Sequence, residues 1–192
     1  GKGFATMNVI NLLFGTAALG FGSLVPLYAE NRYHLSASTA GTVLSARGVG
    51  VIVVAAASTM LLRRTGYRLP MIIGCGSVAV GIVMLSIAAR GLSPYWWVAL
   101  FSMLTGLGMG IAAPATNNAS LQLAPESVGA IAGLRGMFRQ SGANIYVSVA
   151  TSLIARSAAP GIAQAHLFLV SASILVVMIG MVFFVPDHHG SW

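Results

Sequence analysis

The chain has 192 residues, of which 57% are hydrophobic and only 7% charged, and its mean hydropathy is +0.87. A soluble domain carries about 25% charged residues, so this surface cannot face water on all sides, and the remaining solvent is lipid. The net charge of +7 does not indicate nucleic acid, because the arginines are scattered along the chain rather than gathered on one face.

A helix needs about 20 apolar residues to cross the hydrocarbon core. Six segments meet that requirement, so the expected fold class is an all-α membrane protein with six transmembrane helices. The first runs over about Phe4–Ala29. Asn8, Asn11, Gly15, Ala18 and Gly22 recur there at three- and four-residue steps, making one small, polar stripe. That stripe reads equally as close helix packing or as a cavity wall. The second segment spans about Ser38–Leu62, with Ser36 and Ser38 available to cap it. Arg47 falls about nine residues in, roughly 14 Å along the axis, which is too deep for easy snorkelling. It should face protein or a wet cavity, either as a substrate-cavity cation or as a structural arginine bonding helix-end carbonyls.

The third segment, about Leu69–Ala89, has little polarity and contains Cys75, the sole cysteine, so no disulfide or thiolate cluster is available within the chain. The fourth, about Tyr95–Leu123, opens on Tyr95, Trp96 and Trp97 in the manner of an interfacial aromatic belt. Gly106 and Gly110 suit close helix contact, Pro114 a kink, and Asn117 adds a further amide. The fifth, about Ser127–Ala155, is entered through Pro125 and Glu126. It carries Arg135 and Arg139 one turn apart, with Asn144, Ser148 and Thr151 on roughly the opposite face. Those two faces cannot both point into one cavity, so one of them faces a neighbouring helix. The sixth segment is about Gln164–Val185.

Acids are confined to Glu30, Glu126 and Asp187, none of them inside a predicted span. His188-His189 lack a third ligand, and no nucleophile stands beside a base, so neither a metal site, a cofactor nor an enzyme is expected. Lys2, Arg63, Arg64 and Arg68 weight one side of the membrane, which places both ends in the cytoplasm. Segments three and six read as lipid-facing and the other four as needing protein or water on one side. The chain thus divides into two triplets, about residues 1–90 and 91–192, as in a three-plus-three repeat. The initial Gly suggests a fragment of a longer protein.

Four stretches carry a family resemblance. Gly20-Phe-Gly-Ser-Leu-Val-Pro26-Leu-Tyr28 resembles the end of the first helix in the C-terminal half of a major facilitator superfamily transporter. Ala40-Gly41 with Ser45-Ala-Arg47-Gly48-Val-Gly50 is similar to the Ala-Pro-Arg-Gly-x-Gly run of the fourteen-helix drug:proton antiporter branch, with Ala46 in place of the proline. Thr59 to Arg68 resembles the superfamily's cytoplasmic Gly-x-Leu-x-Asp-Arg-x-Gly-Arg-Arg loop, with Thr59 for the first Gly, Arg63 for the Asp and Tyr67 for an Arg. Gly129 to Asn144, with Gly133, Leu134, Arg139 and Gly142, resembles the penultimate helix. The resemblance covers nearly the whole chain.

It implies the C-terminal half of a proton-coupled exporter of small amphipathic compounds or drugs in the bacterial inner membrane, working by alternating access with a missing N-terminal half. Asn8, Asn11, Arg47, Asn117, Arg139 and Asn144 are the substrate-cavity candidates, and Arg63, Arg64, Gly66 and Arg68 the gating-loop candidates. Pro114 is the candidate helix kink. The alternatives are a metabolite or siderophore carrier of the same fold and a six-helix membrane subunit that does not transport. Because no carboxylate lies inside the spans, a proton-binding group would belong to another part of the transporter.

Overall fold

A computed structural model describes residues 2–121 and 125–184. The described chain is helical throughout its length, with short turns between antiparallel elements. The first predicted helix is not one continuous α-helix. It comprises α1 (Lys2–Phe14), a π segment (Gly15–Gly20), the single turn α2 (Phe21–Ser23) and α3 (Val25–Tyr33). Glycines bound the π segment at both ends, where their lack of a side chain tolerates the wider turn. Pro26 then sits in the first turn of α3, the one place in a helix where its missing N–H removes no internal bond.

The remaining helices are α4 (Ala37–Thr65), α5 (Arg68–Ser86), α6 (Pro94–Leu121), α7 (Val128–Ala155) and α8 (Pro160–Val182). Ser36 caps α4, its Oγ accepting from the Thr39 backbone N–H at 3.3 Å. Left-handed residues close two of the helices: His34, at φ 54°, follows α3, and Gly66, at φ 71°, follows α4. A 3₁₀ turn, Pro125–Ser127, leads into α7. The expected fourth helix ends beyond Leu121 in residues outside those described.

Among the described residues, five stretches are long and apolar enough to cross a membrane: Phe4–Ser23, Ala37–Ala55, Arg68–Ser86, Pro94–Leu121 and Pro160–Val182. The sequence reading expects a sixth. Helix α7 has the length, at 28 residues, but Arg135, Arg139, Gln140 and Asn144 in its first two-thirds depress its hydropathy.

Helix α6 packs between α4 and α5, α5 against α8, α8 against α1 and α3, and α7 against α1 and the π segment. Aromatic side chains fill the interior. Phe168 meets Phe21 edge-on at 4.8 Å and Tyr28 at 4.8 Å, and the Tyr28 hydroxyl donates to the Leu85 carbonyl at 2.6 Å. Trp96 remains 63% exposed, as an interfacial residue would be, whereas Trp97 turns inward and its Nε1 donates to the Met84 carbonyl at 3.1 Å. The indole N–H thus gains a partner that lipid could not supply.

Small residues set the close helix approaches. A Cβ on Gly106 would collide with the Arg47 carbonyl, and one on Gly74 would lie 2.6 Å from the Ala112 nitrogen. Gly74→Ala should therefore cost about 1–3 kcal/mol through overpacking. Gly76→Ala, two residues on and facing open space, should be neutral or stabilising by up to about 1 kcal/mol. Equilibrium unfolding of the two variants in detergent checks the contrast.

Candidate functional site

The six cavity candidates do not converge on one point. They separate into a buried network around Arg139, a second arginine at the α4–α6 seam, and an exposed polar stripe on α7.

The network is built from three helices. Asn11 on α1 is buried, and its Nδ2 donates to the Met7 carbonyl at 2.8 Å and to Ser120 Oγ at 3.2 Å. Its Oδ1 accepts from Arg139 Nε on α7 at 3.0 Å. Arg139 Nη2 donates to Thr116 Oγ1 on α6, and the guanidinium carbon lies 4.8 Å from the Phe14 ring centroid. Thr116 and Ser120 pass their own hydrogens back to helix carbonyls, at 2.9 Å to Ala112 and 2.8 Å to Thr116. One amide, one hydroxyl and one ring face therefore hold a cation, Ser120 steadies the amide, and α1, α6 and α7 are tied together by the network. Gly15 permits the approach, since a Cβ there would collide with the Arg139 carbonyl.

Arg47 occupies different surroundings. Its Nη2 donates to the Ala18 carbonyl in the π segment and lies 2.8 Å from both that oxygen and Met109 Sδ on α6. Its guanidinium carbon lies 6.0 Å from the Phe21 ring centroid, and Nε is buried without a partner among the described residues. The carbonyl contact is the kind expected of a structural arginine. The unfilled Nε shows that the contact does not complete its donor set. Beside it lies a pocket of about 220 Å³ lined by Leu44, Arg47, Gly48, Val51 and Met109.

Of the two opposed faces of α7, the one bearing Arg139 turns to neighbouring helices, while Gln140, Asn144, Ser148 and Thr151 are exposed. Gln140 Nε2 donates to Asn144 Oδ1 at 3.0 Å, so Asn144 joins this outer stripe and not the Arg139 network. Asn8 is half-buried one turn from Asn11, and Asn117 Oδ1 is buried without a partner among the described residues. Helix α6 continues through Pro114 without interruption. In the α4–α5 turn, Arg68 Nη2 donates to the Phe183 carbonyl at 3.2 Å, fastening the start of α5 beside the end of α8. The side chains of Arg63 and Arg64, and the pair His188-His189, lie outside the described residues.

Thr116, Ser120 and Met109 complete these sites without a strong signal in the sequence. Single hydroxyls in apolar helices usually bond their own backbone, and a methionine there reads as core filling. The available signal is the spacing: Thr116 and Ser120 stand one turn apart, flanking the conspicuous Asn117-Asn118 pair.

Residues 6–147 match the Major Facilitator Superfamily. Among curated proteins, the chain is similar to Multidrug resistance protein 3 of Bacillus subtilis (strain 168), at 23% identity over 107 residues. That match covers 56% of this chain and 21% of the relative. Among solved structures, the fold matches the inward open conformation of the xylose transporter XylE from E. coli with a TM-score of 0.75 at 16% identity. It covers 96% of this chain and 48% of that one. The chain thus spans about half the length of the transporter whose fold it shares.

The Asn11–Arg139 bond should show as non-additivity. Asn11→Ala and Arg139→Ala, singly and together, should give a coupling of about 1.5–3 kcal/mol, the range for a hydrogen bond to a charged group. Unfolding of the four proteins in detergent measures it, and strict additivity would remove the bond from the network.

Proposed function

The chain belongs to the major facilitator superfamily, and we propose that it forms the C-terminal six-helix half of a secondary transporter exporting small amphipathic organic compounds or drugs in exchange for protons. The family match over residues 6–147 is the observation that carries transport. The similarity to a Bacillus multidrug resistance protein supports efflux. On this reading α7 is the sixth span, the repeat units are about residues 1–90 and 91–192, and the membrane is a bacterial plasma membrane with both ends of the segment cytoplasmic.

Two six-helix halves rock about a site near the midplane in such a fold. Here α1, α4, α6 and α7 supply the cavity wall, with Asn8, Arg47, Asn117 and Asn144 as its polar groups, while Asn11 and Arg139 join three of those helices behind it. Helices α5 and α8 form the support facing lipid. Apart from His166 and Ser173, their exposed side chains are apolar, among them Ile73, Val80, Val83, Leu169, Val176 and Val177, which favours that division. Arg68 and Gly66 form the described part of the cytoplasmic loop. Arg63, standing where the family has an acid, weakens that loop as a conformational latch.

Cells expressing the complete transporter should accumulate less of at least one amphipathic compound than cells lacking it, and an uncoupler should abolish the difference. Failure to find uncoupler-sensitive flux across a broad panel would sink the antiporter reading. Arg139→Ala should reduce flux at least tenfold, because a network joining three cavity helices is lost.

A further inference from the structure

We propose that Arg47 and the pocket beside it bind the anionic group of an amphipathic organic molecule, with the carboxylate or sulfonate on the guanidinium and the apolar body against α4 and α6. Calling that molecule the cargo rests on the transporter reading; the binding site itself does not.

The two buried arginines differ in how far their donors are used. Arg139 spends Nε and Nη2 on Asn11 and Thr116 and lies close over the Phe14 ring. Arg47 uses Nη2 alone, on a carbonyl and a thioether, and its Nε is buried without a partner among the described residues. A thioether is a weak acceptor, so a cation inside the span Ala37–Ala55 is left with one good bond. No Asp or Glu occurs anywhere between Glu30 and Glu126 to neutralise it.

The surroundings hold the guanidinium in place. A Cβ on Gly22 would strike Arg47 Nη1 and one on Gly106 would strike the Arg47 carbonyl, so two glycines on two other elements make room for this residue. The pocket lies along one face of α4, since Leu44, Arg47, Gly48 and Val51 follow the i, i+3, i+4, i+7 spacing. Met109 closes it from α6. Apart from the guanidinium its lining is wholly apolar. Its volume of about 220 Å³ suits an acid group with a ring system, not an entire drug-sized molecule.

A guanidinium pairs best with a planar two-oxygen anion, where parallel N–H donors meet both oxygens. In a low-dielectric wall such a ligand neutralises the charge and fills the idle donor together. A cation of the same shape would meet uncompensated repulsion.

The test uses the complete transporter purified in detergent, with 2-naphthoate as the anionic probe and N-methylquinolinium as a cation of similar size, both by equilibrium dialysis. Naphthoate should bind and the cation should not. Arg47→Gln should weaken naphthoate binding at least tenfold, with Arg47→Lys intermediate. Gly48→Phe should do the same while leaving the Arg47–Ala18 bond intact, because a Cβ at Gly48 meets no atom within 4 Å. That second variant decides the matter where Arg47→Gln does not fold. Absent naphthoate binding, unchanged binding in either folded variant, or preferential binding of the cation would each overturn the site. Flux in proteoliposomes separates the two readings. Arg47-dependent binding without uncoupler-sensitive flux keeps the site and removes the antiporter reading, whereas uncoupler-sensitive flux with Arg47-independent binding does the reverse.

Discussion

The placement of two guanidinium groups inside an apolar bundle whose described spans hold no carboxylate constrains nearly everything else in this structure. An arginine at the centre of a membrane helix costs at least about 2.5 kcal/mol even on the mildest scale. The chain offsets that cost with neutral acceptors. Arg139 takes an amide oxygen, a hydroxyl and a ring face, and Arg47 takes a carbonyl, a sulfur and a ring. Arg139 draws its partners from α1 and α6, and Arg47 from the π segment, α2 and α6, so each arginine also fixes how those elements sit against its own helix.

Such convergence requires backbones to come close. Gly15 admits the Arg139 backbone, Gly22 admits the Arg47 guanidinium and Gly106 admits the Arg47 backbone. The π segment between Gly15 and Gly20 belongs to the same arrangement. Its Ala18 carbonyl faces Arg47, and its neighbour Phe14 lies under Arg139. A regular helix over residues 2–33 would turn these groups to other directions, since each residue shifts the face by about 100°. The irregularity of the first helix and the two arginine sites are therefore parts of one design.

The helices were legible from hydropathy and the start of α4 from Ser36, because those signals are local. The π segment and the break at Leu24 were not, since both answer to side chains on α4 and α7 that lie far away in sequence. The polar stripe on α1 was visible as a stripe, yet it serves two separate sites: Asn11 and Gly15 meet Arg139, while Ala18 and Gly22 meet Arg47. The incompatibility of the two faces of α7 followed from its helical period. Which face turned inward depended on acceptors on α1 and α6, which no periodicity in α7 reveals. Thr116 and Ser120 were obscured because a hydroxyl that accepts from a distant arginine or amide looks the same in sequence as one that serves its own helix.

Charge distribution also bears on how a transporter with this half would work. Inside the candidate membrane spans and α7 the ionised groups are guanidiniums, and these hold their protons across the physiological range. A half of this kind can offer a fixed positive potential but no carboxylate to load and release a proton. On the reading proposed above, the titrating group would stand on the complementary half, and the guanidiniums would set its surroundings. An anionic ligand at Arg47 and a deprotonated acid across the cavity would then compete for the same positive field. Binding the anion would therefore raise that acid's affinity for a proton, so the positive field couples the occupancies of ligand and proton.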